Sequence, residues 1–161
     1  MTGLLYLGLR GHQIGLSGFN NSWGVTILIG AALGITMWFN VWFVIWPNQK
    51  IVIESATLAA QGKAALPEAA NAGARGLTAS RTNTMFSIPL LFFMASASHL
   101  PLSMGENSKI GIFWGCFAVI WAALEFNALK GKTGPITTIK GVITAGFVLT
   151  FVLFGLLISF A

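Results

Sequence analysis

"WGVTILIGAALGITMWFNVWFVIWP" runs from Trp23 to Pro47 and contains no charged residue. As a helix rising 1.5 Å per residue, it would set Trp23 and Trp46 roughly 34 Å apart, the separation of the two interfaces of a bilayer. Tryptophan is enriched at both interfaces, so the stretch reads as a membrane span. The composition agrees. Of 161 residues, 55% are hydrophobic and 8% charged, with a mean hydropathy of +0.79. Soluble domains carry about 25% charged residues, so this chain lacks the polar surface for a water-exposed globule.

Three further segments have the ~20 residues needed to cross hydrocarbon: residues 84–102, 110–129 and 136–161, the last with its apolar core from Val142. With the first span (23–47) they predict an all-α integral membrane protein. The expected fold is four transmembrane helices in an antiparallel bundle, a single membrane domain over residues 1–161. In the connecting segment 48–82, Ile51, Ile53 and Leu58 can share one side of a helix, which predicts a short interfacial helix near Ile51–Gln61. Gly62, Pro67, Gly73 and Gly76 mark the remainder as loop.

Charge sets direction. Lys50, Lys63, Arg75, Arg81, Lys130, Lys132 and Lys140 fall in connections on one side, and only Arg10 and Lys109 on the other. The positive-inside rule puts segment 48–82 and the Lys130–Lys140 connection in the cytoplasm, with both termini outside. A prokaryotic cytoplasmic membrane is the expected location. The net charge of +5 is thus a topology signal, and with no basic stripe or reading motif it gives no nucleic-acid partner. Residues Met1–Gly15 lack a basic n-region and a long apolar core, so they read as a retained interfacial or re-entrant segment. Asn20, Asn21 and Ser22 would cap the first span.

A single cysteine, Cys116, excludes an internal disulfide, a four-cysteine zinc site and C-x-x-C-H attachment of a covalent haem c within these residues. Small residues four apart (Gly30 and Gly34, Gly111 and Gly115, Gly141 and Ala145) and the run Ala95–Ser98 allow close helix packing or docking to a partner subunit. Bound lipid is expected along the apolar faces.

Polar residues inside the spans must find partners. Asn40, Arg81, Asn83, Glu125 and Asn127 all fall toward the cytoplasmic boundary. They read either as a structural network, with Glu125 paired to Arg81 or a loop lysine, or as a proton route or quinone-headgroup site. His99 and His12 reach the opposite side together, with Met104 and Glu106 nearby. Two imidazoles can ligate a haem b or begin a copper site; alternatively, His99 simply ends a helix that Pro101 terminates.

"MWFNVWFVIWPNQKIV" (Met37–Val52), followed by "SRTNTMFSIPLLFFMASASHLP" (Ser80–Pro101), resembles the membrane domain of the cytochrome-c-linked urate oxidases, the urate hydroxylase PuuD family. That family's landmarks map onto Asn40, Val41, Pro47, Gln49, Lys50, Asn83, Pro89, Phe92, His99 and Pro101. The resemblance implies a membrane module related to urate oxidation. Electrons pass to a haem domain in the family, so the acceptor here is expected on another polypeptide. Two functions follow as expectations. One is an accessory or scaffolding subunit of a larger membrane redox complex, with other integral membrane subunits as partners. The other is a catalytic or electron-transferring protein with haem or copper near His99 that meets an electron-transfer protein. Transport is disfavoured, because no inverted repeat or row of intramembrane charges is present.

Overall fold

The computed structural model describes residues 2–15, 19, 21–104 and 108–161. All its regular elements are helical: α1 (Thr2–Ile14), α2 (Ser22–Phe39), a π-helical turn (Asn40–Ile45), α3 (Trp46–Ala60), α4 (Ala69–His99), α5 (Ile110–Lys130), a short 3-10 turn (Gly134–Thr137) and α6 (Ile139–Phe160).

The N-terminus of α2 forms as its sequence requires. Asn21 is extended, and its side-chain oxygen accepts from the Gly24 amide at 2.8 Å, satisfying a donor that the first turn leaves free. Asn20, the other expected cap, and Glu106 lie outside the described residues. The other end of α2 departs from expectation. Pro47 has no N–H, and its ring crowds the carbonyl of Phe43, which predicted a break there and a separate helix from Ile51. Instead the chain widens into the π turn, where the Trp46 amide donates to Val41. The extra residue takes up the proline, and the helix continues unbroken from Ser22 to Ala60, 39 residues. It ends at Gly62, whose φ of +74° lets Lys63 N donate to Leu58 O and Gly62 N to Ala59 O, the paired bonds of a glycine-terminated helix.

The second correction concerns Gly73 and Gly76, which lie inside α4 and not in a loop. Helix α4 starts well before Thr84 because its first turns pack on α3. A Cβ added at Gly76 would sit 3.5 Å from Gln49 Nε2, and one at Gly73 3.7 Å from Val52 Cγ2. Contact with α3 here outweighs the weak helix preference of glycine, as tertiary context routinely does. Ser55, buried, accepts from the Leu66 amide at 3.0 Å and ties the turn back.

Helix α4 is the centre of the molecule and packs against α2, α3, α5 and α6. Its Phe86 and Phe93 are fully buried among Val25, Ile29 and Leu33 of α2, Phe113 and Phe117 of α5, and Leu149, Leu153 and Leu157 of α6. Gly30 and Gly34 face α4, where added Cβ atoms would meet Met94 Cγ at 2.9 Å and Leu90 Cδ1 at 3.3 Å. Gly111 and Gly115, by contrast, face open space. The close approach of α6 is made by Gly146: a Cβ there would stand 3.0 Å from the Met85 carbonyl oxygen and 2.5 Å from Ile88 Cδ1. Pro89, four residues after Met85, has no N–H to donate to that carbonyl. The glycine of α6 fills the space beside it. Helix ends are tied as well, with the Leu102 amide on Ser22 Oγ at 2.7 Å and the Lys109 amide on Phe160 O at 2.8 Å.

Three helical stretches are long and apolar enough to cross a membrane: Ser22–Ala60, Ile110–Lys130 and Ile139–Phe160. Three of the four expected spans meet this measure, and α4 does not. Helix α4 carries Thr82, Asn83, Ser87, Ser96, Ser98 and His99, and Thr82, Asn83 and Ser96 are buried against its neighbours. A helix enclosed by protein can hold polar groups that a lipid-facing helix cannot. The apolar side chains left exposed, among them Trp42, Leu91, Val119, Phe126 and Phe151, form an exterior suited to lipid.

Gly146→Ile should disrupt the α4–α6 contact and lower stability by about 1–3 kcal/mol through overpacking. Gly115→Ala should leave it unchanged. Thermal unfolding of both variants in detergent checks the contrast.

Candidate functional site: a buried polar cluster

Three polar side chains from three helices converge inside the molecule. Asn40 opens the π turn, Asn83 lies midway along α4, and Glu125 lies in the last two turns of α5. Asn40 is completely buried, and Asn83 and Glu125 are each 8% exposed. The Asn40 amide nitrogen donates one hydrogen to Asn83 Oδ1 at 3.0 Å and the other to Glu125 Oε2 at 3.1 Å. Asn83 Nδ2 donates to the Met37 carbonyl at 3.0 Å. One turn away, the Trp121 indole N–H donates to Thr36 Oγ1 at 2.9 Å, while that hydroxyl donates to Ala32 O at 2.8 Å. These bonds link α2, α4 and α5 at one level.

The cluster is incomplete as it stands. Asn40 Oδ1 and Glu125 Oε1 are both buried with no hydrogen-bond partner among the described residues, although buried polar atoms ordinarily have one.

Other residues singled out from the sequence lie elsewhere. Arg81 is half-buried on α4, and the one partnered oxygen of Glu125 is held by Asn40, not by Arg81 or a loop lysine. Asn127 is two positions beyond Glu125, about half a turn of α5, and faces away, donating to Lys132 O at 3.2 Å. It lines an apolar groove of about 350 Å³ between α4, α5, the 3-10 turn and α6, walled by Thr82, Met85, Leu124, Ile136, Leu149 and Val152.

His99 is the last residue of α4, and its side chain is exposed. Leu100 caps the helix through its amide on Ser96 O, which matches the helix-end expectation for the backbone there. His12 is exposed on α1. Its neighbour Gly11 abuts the Phe19 ring, which stacks on Trp23 with centroids 5.9 Å apart, so both histidines come to the end of the molecule where α2 begins. Met104 packs against the core as a partly buried side chain. Among the described residues, no three His, Cys, Asp or Glu side chains gather to hold a metal ion.

The pairing of Thr36 with Trp121 went unforeseen. Its signal was modest: a lone hydroxyl within an apolar span, whose partner lies 85 positions away.

The fold and cluster define a helical protein built around one enclosed, partly polar helix, with three stretches able to cross a membrane. A family model, urate oxidase N-terminal, matches residues 7–155, which takes in α2 through nearly all of α6 and every member of the cluster. The chain belongs to the urate oxidase N-terminal family. Comparison with curated proteins and with solved structures gave no match.

Asn40→Leu should remove the donor to both Asn83 and Glu125 and destabilise the fold by several kcal/mol, since each buried acceptor left unsatisfied costs about 1–3 kcal/mol. Asn127→Ala, outside the cluster, should have a small effect. Unfolding midpoints in detergent compare the two.

Proposed function

We propose that this chain is the integral-membrane module of a urate-oxidase-type redox complex, in an accessory and scaffolding role. The observation that carries the reading is the use made of Asn40: both hydrogens of its amide are spent on joining three helices, within a family matched over residues 7–155. Helix α4 acts as a fourth crossing. Its polar side is shielded by α2, α5 and α6, and the four helices form an up-and-down bundle. The tied ends support that order, since the start of α2 meets the end of α4 and the start of α5 meets the end of α6.

Lys50, Lys63, Arg75, Arg81, Lys130, Lys132 and Lys140 orient their end toward the cytoplasm of a prokaryotic cell and the termini outward. The apolar groove beside Asn127 receives a lipid chain, and Lys130 and Lys132 lie at its polar end to meet an anionic headgroup. Other membrane subunits pack on the apolar exterior, and electrons pass to a redox protein. The competing reading is a catalytic subunit with haem or copper near His99. The exposure of His99 and His12 at one end favours it.

Purification in mild detergent, with an absorption spectrum and mass-spectrometric identification of partners, tests the choice. A larger assembly in which His99→Ala leaves chromophore content unchanged is expected. A chromophore or stoichiometric metal on this chain alone, lost in His99→Ala, would establish the catalytic reading instead.

A further inference from the structure

The hydrogen bonds of the cluster can be counted to completion. Asn40 Nδ2 has two hydrogens, and both are used. Two acceptors then remain without donors, Asn40 Oδ1 and Glu125 Oε1. They belong to the same two side chains already joined by the Nδ2–Oε2 bond. A primary amide and a carboxylic acid pair face to face through two parallel bonds: the amide N–H to one acid oxygen, the acid O–H to the amide oxygen. Only the first of these exists if Glu125 is a carboxylate. Adding one hydrogen on Oε1 supplies the second, satisfying both orphaned oxygens at once and removing an uncompensated charge from an apolar interior.

We propose that Glu125 holds an exchangeable proton on Oε1, donated to Asn40 Oδ1, so that the Asn40–Glu125 pair is a buried proton-binding site.

The surroundings agree. No charged residue occurs between Ser22 and Ile45. On α4 the nearest charge along the chain is Arg81, two positions before Asn83 and half-buried; on α5 it is Lys130, exposed. Among the described residues Oε2 bonds Asn40 and Oε1 has no partner, so neither oxygen is shown bonded to Arg81, Lys130, Lys132 of the following connection or Lys140 of α6. A π turn begins at Asn40, and such turns are frequent at functional sites. A metal ion fits poorly, because only two unoccupied oxygens are on offer and hard cations take six or more ligands. The inference is independent of whether the chain scaffolds or catalyses. It gives a redox module of either kind a group that takes up and releases one proton: the carboxyl loses H⁺ to become carboxylate and regains it, with no electron transferred.

The test uses infrared spectroscopy of the full chain in detergent at neutral pH, in H₂O and in D₂O. The chain has four acidic residues, Glu54, Glu68, Glu106 and Glu125, so the triple variant E54Q/E68Q/E106Q leaves Glu125 as the sole acidic side chain without touching the cluster. A protonated-carboxyl C=O band that shifts in D₂O should appear in the native protein and persist at full intensity in the triple variant. It should vanish in E125Q. Glutamine offers the same donor and acceptor as the neutral acid, so the E125Q unfolding midpoint should move by less than about 4 °C, the shift expected from 1 kcal/mol. Only carboxylate bands in the triple variant would overturn the proposal in favour of a charged Glu125 with a trapped water. A midpoint that rises with Na⁺ or K⁺ in the native protein but not in E125Q would overturn it in favour of a bound cation.

Discussion

One primary amide, that of Asn40, is bonded at once to α4 and to α5 while belonging to the rod that contains α2. Its bonds at 3.0 and 3.1 Å are directional, whereas the leucine, isoleucine and phenylalanine contacts around them are not. Apolar packing between helices in a lipid environment has no hydrophobic driving force to select one register over another. A buried hydrogen bond does, because a slip by one residue would strand donor and acceptors alike. The level at which α2, α4 and α5 meet follows from this cluster. The tied helix ends, Ser22 with Leu102 and Lys109 with Phe160, keep the same alignment at the far end.

Two prolines that ought to interrupt helices do not, and in each case the neighbourhood explains why. Pro47 is taken up by the π turn, and that turn begins with Asn40. Pro89 leaves the Met85 carbonyl without its usual donor inside α4, and Gly146 of α6 stands against it. Pro89 and Gly146 therefore work as a pair on facing helices. On α6 the close approach to α4 is made at Gly146, one position beyond Ala145, where an added Cβ would stand 3.0 Å from that carbonyl oxygen.

The cluster also bears on what a module of the urate oxidase N-terminal family can do. The family match extends over the whole of it. Its members lie well inside the helices, while the two histidines lie at the other end, outside the core and exposed. Chemistry at the histidine end and proton binding at the cluster would thus occupy separate levels of one helical body, connected through the second half of α4.

Much of this was legible in residues alone. Long apolar runs predict the spans at 23–47, 110–129 and 136–161, close to the helices found at Ser22–Phe39, Ile110–Lys130 and Ile139–Phe160, since length and apolarity are sums over local sequence. Asn40, Asn83 and Glu125 were identifiable as residues in need of partners, because isolation within apolar sequence is also a local property. Their actual partners were not. Asn40 and Glu125 are 85 positions apart, and whether Glu125 meets Arg81 or Asn40 depends on helix rotation and register, which no local pattern encodes. The same limit explains α4: Gly73 and Gly76 look like loop until α3 supplies a close-fitting surface, and Asn83 finds its partners only at Asn40 and Met37 of the neighbouring rod. Sequence by itself determined the long apolar helices and which polar groups require satisfaction; tertiary packing decided how far α4 extends and who satisfies those groups, because a hydrogen bond is a condition on distance and direction between helices that meet only after folding.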